Sequence, residues 1–170
     1  ARDEQLMRLS RHDPLTGELN RTYLVAGLAE SIEEAARSRS SCAFMLIGGD
    51  HLSRINDAFG FDVADAVIAE IGKRIRVRLR AGDVLGRFSG NKFGLILRNC
   101  TVDDINVAAE RFLAGIRDEV VPTKSGPVSV TASIGAISIP RYARSADEAV
   151  NRAQETLDAA KRRRAGSFSL

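Results

Sequence analysis

Asp83-Val84-Leu85-Gly86-Arg87-Phe88-Ser89-Gly90-Asn91-Lys92-Phe93-Gly94-Leu95-Ile96-Leu97 reads as two strand-like runs, Asp83 to Phe88 and Phe93 to Leu97, folded back on each other around Ser-Gly-Asn-Lys. Gly90 and Asn91 are residue types that supply the unusual backbone angles of a tight hairpin turn. The turn carries no carboxylate. Which sheet this hairpin joins is decided by the segments on either side of it.

Upstream, Cys42-Ala43-Phe44-Met45-Leu46-Ile47 is a short, almost wholly apolar run that ends at Gly48-Gly49. Such a run predicts a central strand buried on both faces. Asn20 is placed to cap a helix in which Leu24, Leu28 and Ile32 recur every four residues. A second helical stripe, Val63, Val67, Ile71, Ile75 and Leu79, starts near Asp62 and ends at Arg80-Ala81-Gly82. Downstream, Thr101 caps a helix with Ile105, Ala109, Phe112 and Ile116 in register. Val128 to Ile139 reads as one strand containing Gly135, and a last helix from about Ala146 turns Ala149, Ala153, Leu157 and Ala160 inward. The order helix, strand, helix, hairpin, helix, strand, helix predicts an α/β sandwich with a mixed sheet.

At 170 residues and 44% hydrophobic content the chain suits one domain. No apolar run approaches the length that spans a bilayer, so no direct membrane insertion is expected. The N-terminus has no signal-peptide core, and the expected location is cytoplasmic, or the cytoplasmic part of a membrane-bound signalling protein. Residues 1–12, with Leu6, Met7 and Leu9 among charges, read as a helical lead-in from an upstream domain, and 13–170 as the domain itself. Cys42 and Cys100 fit no metal-ligand spacing and read as reduced core thiols. His12 and His51 have no companion ligands. The net charge of +3 owes much to Lys161-Arg162-Arg163-Arg164. Without interleaved aromatics this cluster is a poor nucleic-acid surface, and it reads as a solvated last helical turn that complements the helix dipole. Contact with the phosphates of a small nucleotide remains a narrower reading.

Several blocks together resemble the GGDEF family, the domain of diguanylate cyclases that joins two GTP molecules into cyclic di-GMP. His12-Asp13-Pro14-Leu15-Thr16-Gly17-Glu18-Leu19-Asn20-Arg21 looks like its opening motif and Ile55-Asn56-Asp57-Ala58-Phe59-Gly60 like its nucleotide-proximal helix turn. Arg80-Ala81-Gly82-Asp83 resembles the RxxD product-inhibition site, Ser129 to Gly135 the late strand, and Lys161 falls on the phosphate-contacting lysine. The resemblance covers nearly the whole chain. It implies a GGDEF-like (nucleotidyl cyclase-like) sandwich whose central mixed sheet of about five strands is flanked by helices.

The same resemblance implies Mg²⁺ held by an Asp at the end of the first central strand, by a neighbouring backbone carbonyl and by the Glu of the GGDEF turn. Those acidic positions are Gly48 and the Asn91-Lys92 pair here, within Ser89-Gly90-Asn91-Lys92-Phe93. Asp50 is the one acidic position of its motif that remains, a weak candidate ligand. Mg²⁺ needs anionic oxygens to hold it against phosphates, and neither glycine nor an ammonium supplies them. No cofactor is therefore expected, with Mg²⁺ needed only by an active cyclase. Lys92 is expected to place a positive charge where the metal would be.

Guanine-contacting positions carry over as Asn56 and, nine residues later, Asp65; a turn cap and a first-turn carboxylate explain them equally well. Phe61, Ala64 and Ala165 stand where the family usually has His, Gly and Arg. Arg80 and Asp83 suit capture of a guanine edge or phosphate; a helix-terminal charge and a turn residue are the plainer roles. Arg87 and Phe93 read as a solvent-facing strand Arg and a core Phe. The expectation is a catalytically degenerate GGDEF domain that senses cyclic di-GMP or GTP. Its expected partners are an upstream sensor, a downstream EAL phosphodiesterase domain and a homodimer mate. The alternatives are an active diguanylate cyclase and a purely structural dimerisation domain.

Overall fold

In a computed structural model, which describes residues 11–170, five strands form one sheet in the order β2-β3-β1-β6-β7. The expected lead-in of residues 1–12 lies, apart from its last two positions, outside the described residues. The strands are β1 (Cys42–Gly49), β2 (Val84–Ser89), β3 (Lys92–Arg98), β6 (Ala132–Ile139) and β7 (Phe168–Ser169), and β4 (Val121–Thr123) with β5 (Gly126–Val128) makes a separate ribbon. The helices are α1 (Arg21–Ser38), α2 (Leu52–Phe59), α3 (Phe61–Arg76), α4 (Val102–Arg117) and α5 (Ala146–Arg163). Only β6 and β7 pair in parallel, so the sheet is mixed.

All eight residues of β1 are buried, because helices cover both faces of the strand. Alternate side chains feed two cores: Ala43, Met45 and Ile47 pack with α3 and α4, whereas Cys42, Phe44 and Leu46 pack with α1 and α5. Asn20 caps α1 through Tyr23 N, and Thr101 caps α4 in a capping box with Asp104.

The structure adds α2 and the β4–β5 ribbon to the expected order of elements, and further features also depart from or refine the sequence reading. The helix from Phe61 stops at Arg76, and Arg78 N and Leu79 N bond Ile75 and Arg76 carbonyls instead, so Leu79 packs from a turn. The run Val128 to Ile139 is broken, because Thr131 leaves the ladder to accept a bond from Asp50 N at 2.9 Å. Gly90 has φ +37°, whereas Asn91 is not among the residues with positive φ; its side chain is used for another contact, described below. The final residues, which resemble an exit strand, run beside β6.

Candidate functional site

The opening motif folds as a tight turn. Asp13 Oδ2 accepts from Thr16 N at 2.9 Å and Thr16 Oγ1 at 2.8 Å, and Gly17 takes φ +76°. Arg87 is not the solvent-facing side chain that the sequence suggests. Its guanidinium donates to Asp13 Oδ1 at 3.1 Å and, through two nitrogens, to Gly90 O at 3.0 and 2.8 Å, so it clamps the hairpin turn to the opening motif. Phe93 is wholly buried, as expected of a core residue.

The turn is also stapled to the end of β1. Gly49 N donates to Asn91 O at 3.1 Å, and Asn91 Nδ2 donates to Gly49 O at 2.9 Å. Lys161, near the C-terminal end of α5, reaches the same place: its ammonium lies 3.2 Å from Gly49 O, 3.5 Å from Gly48 O and 3.2 Å from Asp50 Oδ1. Glycine eases this approach, since a Cβ at position 48 would meet Lys161 Cε at 3.1 Å and make the lysine give by a few tenths of an ångström. Lys92 points elsewhere and donates to Gln154 Oε1 at 3.1 Å. The positive charge beside the β1 carbonyls is that of Lys161, and the expectation for Lys92 is corrected accordingly.

Asp50 is 5% exposed and already saturated. Thr131 Oγ1 (2.7 Å), Ser133 Oγ (2.8 Å) and Gly166 N (2.8 Å) donate to it, together with Lys161. Burial pushes this carboxyl up, but the bonds from Thr131, Ser133 and Gly166 and the charge of Lys161 outweigh burial and hold it below the usual value of 3.8. A depressed folded-state value means stability that is present above 3.8 and lost as pH falls through the lower folded value. Asp50→Asn, which turns an amide toward donors, is expected to cost about 3 kcal/mol at neutral pH. It should also flatten the acid limb of a stability profile followed by urea titration between neutral and acid pH; an unchanged limb would show that Asp50 is not one of its sources.

Mg²⁺ does not fit these residues. The Gly49 carbonyl is taken by two N–H donors, Gly48 brings no carboxylate, and Asp50 is turned into its own hydrogen-bond cage. Among the described residues no group of three or more His, Cys, Asp and Glu side chains is placed to hold a metal.

Asn56 is half-buried on α2, where its carbonyl accepts from Gly60 N at 2.8 Å, and Asp65 is exposed on α3. Arg80 and Asp83 do meet. Asp83 Oδ2 accepts from Arg80 N at 3.0 Å and Arg80 Nε at 3.4 Å, and Arg80 also donates to Arg98 O at 3.0 Å. The Asp83 side chain is 2% exposed and that of Arg80 47%, so the guanidinium is the part of this pair presented to solvent. The contacts of Lys161 with Asp50 and of Arg87 with Asp13 were not anticipated; each joins residues far apart in sequence, and no local pattern announces them.

The family profile described as "Diguanylate cyclase, GGDEF domain" matches residues 10–167. The diguanylate cyclase TpbB of Pseudomonas aeruginosa is 28% identical over 97% of this chain and 38% of its own length. A solved structure of the GGDEF domain of TpbB superposes with a TM-score of 0.90, covering 94% of this chain and 93% of that one. The cyclic di-GMP phosphodiesterase NbdA of P. aeruginosa is 30% identical over 87% of this chain and 19% of its own length. The structure of the P. aeruginosa diguanylate cyclase SiaD with its activator SiaC is 32% identical, with a TM-score of 0.88, over 98% of this chain and 64% of that one. The chain thus spans well under half the length of the curated relatives TpbB and NbdA. Among the described residues, no helix is long and apolar enough to cross a membrane.

Proposed function

The chain belongs to the GGDEF domain family, and from that premise we propose that it is a member that does not join GTP into cyclic di-GMP. It acts instead as a regulatory, nucleotide-sensing module in cyclic di-GMP signalling. The observation that supports this most is the Gly49 carbonyl, bonded by Lys161 and Asn91 at the point where a metal would need an oxygen lone pair. Phosphoryl transfer depends on metal ions to neutralise charge and to align the attacking hydroxyl. With an ammonium and an amide directed at that carbonyl, neither of its lone pairs is left for a divalent cation.

In this reading Asn56, Asp65 and Lys92 are the residues available to a guanine nucleotide, Lys161 reaches a phosphate only by leaving the β1 carbonyls, and Arg80 with Asp83 is available to cyclic di-GMP. Residues 13–170 act as the folded unit, with 1–12 leading in from an upstream sensor and an EAL domain as downstream neighbour. The small share of TpbB and NbdA that the chain covers supports a place inside a longer protein, and the cytoplasm is the compartment where its nucleotides occur.

Calorimetric titration with cyclic di-GMP, and with GTP in the presence and absence of Mg²⁺, tests the reading. Saturable cyclic di-GMP binding is expected, weakened about tenfold or more by Arg80→Ala through the lost charge-assisted bonds. The variant isolates the guanidinium, because the shorter bond to Asp83 comes from the Arg80 backbone and survives. GTP binding, if saturable, should not depend on Mg²⁺. Heat from neither nucleotide would defeat the sensing role and leave a structural dimerisation module.

A further inference from the structure

We propose that Gly48 O, Gly49 O and Asp50 Oδ1 form a cation cage of their own, selective for a singly charged ion over a divalent one, and that its resident cation is the Lys161 ammonium. The ammonium nitrogen lies 3.5, 3.2 and 3.2 Å from three oxygens, as many as an ammonium has N–H donors. One carboxylate and two carbonyl dipoles balance a single positive charge.

The cage cannot shrink to fit Mg²⁺. That ion requires oxygens near 2.0–2.1 Å and sheds its water reluctantly, whereas these oxygens stand more than an ångström farther from their cation. Each oxygen is held by other parts of the fold. Gly48 and Gly49 are paired with Ser133 and Ala132 of β6, and Gly49 O is also bonded by Asn91. Asp50 is fixed by Thr131, Ser133 and Gly166. Drawing the three oxygens together would break several of these bonds, while potassium or ammonium needs little contraction. The glycine at position 48 eases the same approach, since a Cβ there would lie 3.1 and 3.3 Å from Lys161 Cε and Nζ.

Chemical rescue tests the proposal. Thermal unfolding of the wild type, Lys161→Ala and Lys161→Met is followed without nucleotide, at constant ionic strength, in choline, ammonium, potassium or magnesium chloride. In choline, Lys161→Ala is expected to unfold roughly 5 °C below the wild type. Ammonium and potassium should restore much of that loss saturably, and magnesium should not. The wild type should respond alike to all four salts. Lys161→Met, whose apolar stem still fills the space, should show no selective rescue. Equal responses of Lys161→Ala to every salt, or better rescue by magnesium than by ammonium, overturn the proposal. If Lys161→Ala does not fold, the wild-type protein decides. A pinned Lys161 ammonium gives a slowly exchanging ¹⁵N–H signal that Lys161→Met lacks, and its absence from the wild type overturns the proposal as well. The proposal concerns the same site as the nucleotide-sensing reading, but these measurements contain no nucleotide, so either can fail alone.

Discussion

Gly135→Ala is expected to destabilise the domain by about 3 kcal/mol or more, read as a lowered urea midpoint at unchanged slope. A Cβ on Gly135 would stand 2.6 Å from Ala153 O and 2.7 Å from Leu157 Cα. Those are backbone atoms of a helix, not the tip of a side chain that can swing aside. The inner face of α5 is Ala149, Ala153, Leu157 and Ala160, small residues for the most part, which lets the helix lie directly on β6. A methyl at position 135 forces α5 off the sheet, opening a gap along this whole seam. It also withdraws Gln154 and Lys161 from Lys92 and the β1 carbonyls, so the loss should extend to any ligand held there. A variant within 0.5 kcal/mol of the wild type would mean that β6 and α5 do not touch as described.

Arg74→Met is expected to cost about 3–4 kcal/mol by the same measurement. Arg74 is 9% exposed, yet none of its charge is stranded. It donates to Ile116 O at 2.8 Å, Glu119 O at 2.6 Å and Val120 O at 2.8 Å, and pairs with Glu70 at 3.4 Å. The three carbonyls lie at the end of α4 and just beyond it, where helical partners run out. Methionine fills the volume but donates nothing, leaving three carbonyls short of a bond and Glu70 without its ion pair. Arg74→Lys should recover only part of the loss, because a single ammonium cannot fan out to the three carbonyls as the planar guanidinium does. Equal stability of Arg74→Met and the wild type would show that water satisfies these carbonyls.

The sandwich was readable because its strongest signals are local. The apolar run Cys42 to Ile47, the four-residue periodicity of Leu24, Leu28 and Ile32, and the Thr101 cap each carry their own physics, and the fold respects all three. The hairpin was readable for the same reason. What escaped depends on partners brought from far along the chain. Where the strand-like run breaks, Thr131 bonds Asp50 through both its carbonyl and its hydroxyl, a pairing invisible in the sequence. Lys161 stands among four consecutive basic residues, and although it continues the four-residue spacing of Ala149, Ala153 and Leu157, its charge hides it beside Arg162 and Arg164, which stay exposed. Only the geometry of α5 turns Lys161 inward.

The candidate site divides along the same line. The lost carboxylates at Gly48 and at the Asn91-Lys92 turn are plain in the sequence. Which cation stands beside the β1 carbonyls is not, because Gln154 holds Lys92 and the distant Lys161 fills the place. The RxxD pair was legible as a pair, but the burial of Asp83, which leaves Arg80 as the exposed member, follows from the turn before β2.

Formation of cyclic di-GMP from GTP tests the account most directly. The purified domain is incubated with GTP and Mg²⁺, and separately with Mn²⁺, beside the double variant Gly48→Asp with Lys92→Glu as a restored reference, and cyclic product is quantified by chromatography. The account predicts no product from the wild type above a protein-free control with either metal. Product from the wild type above that control with either metal would contradict it, and would mean that the oxygens now held by Lys161 and Asn91 open to a metal after all.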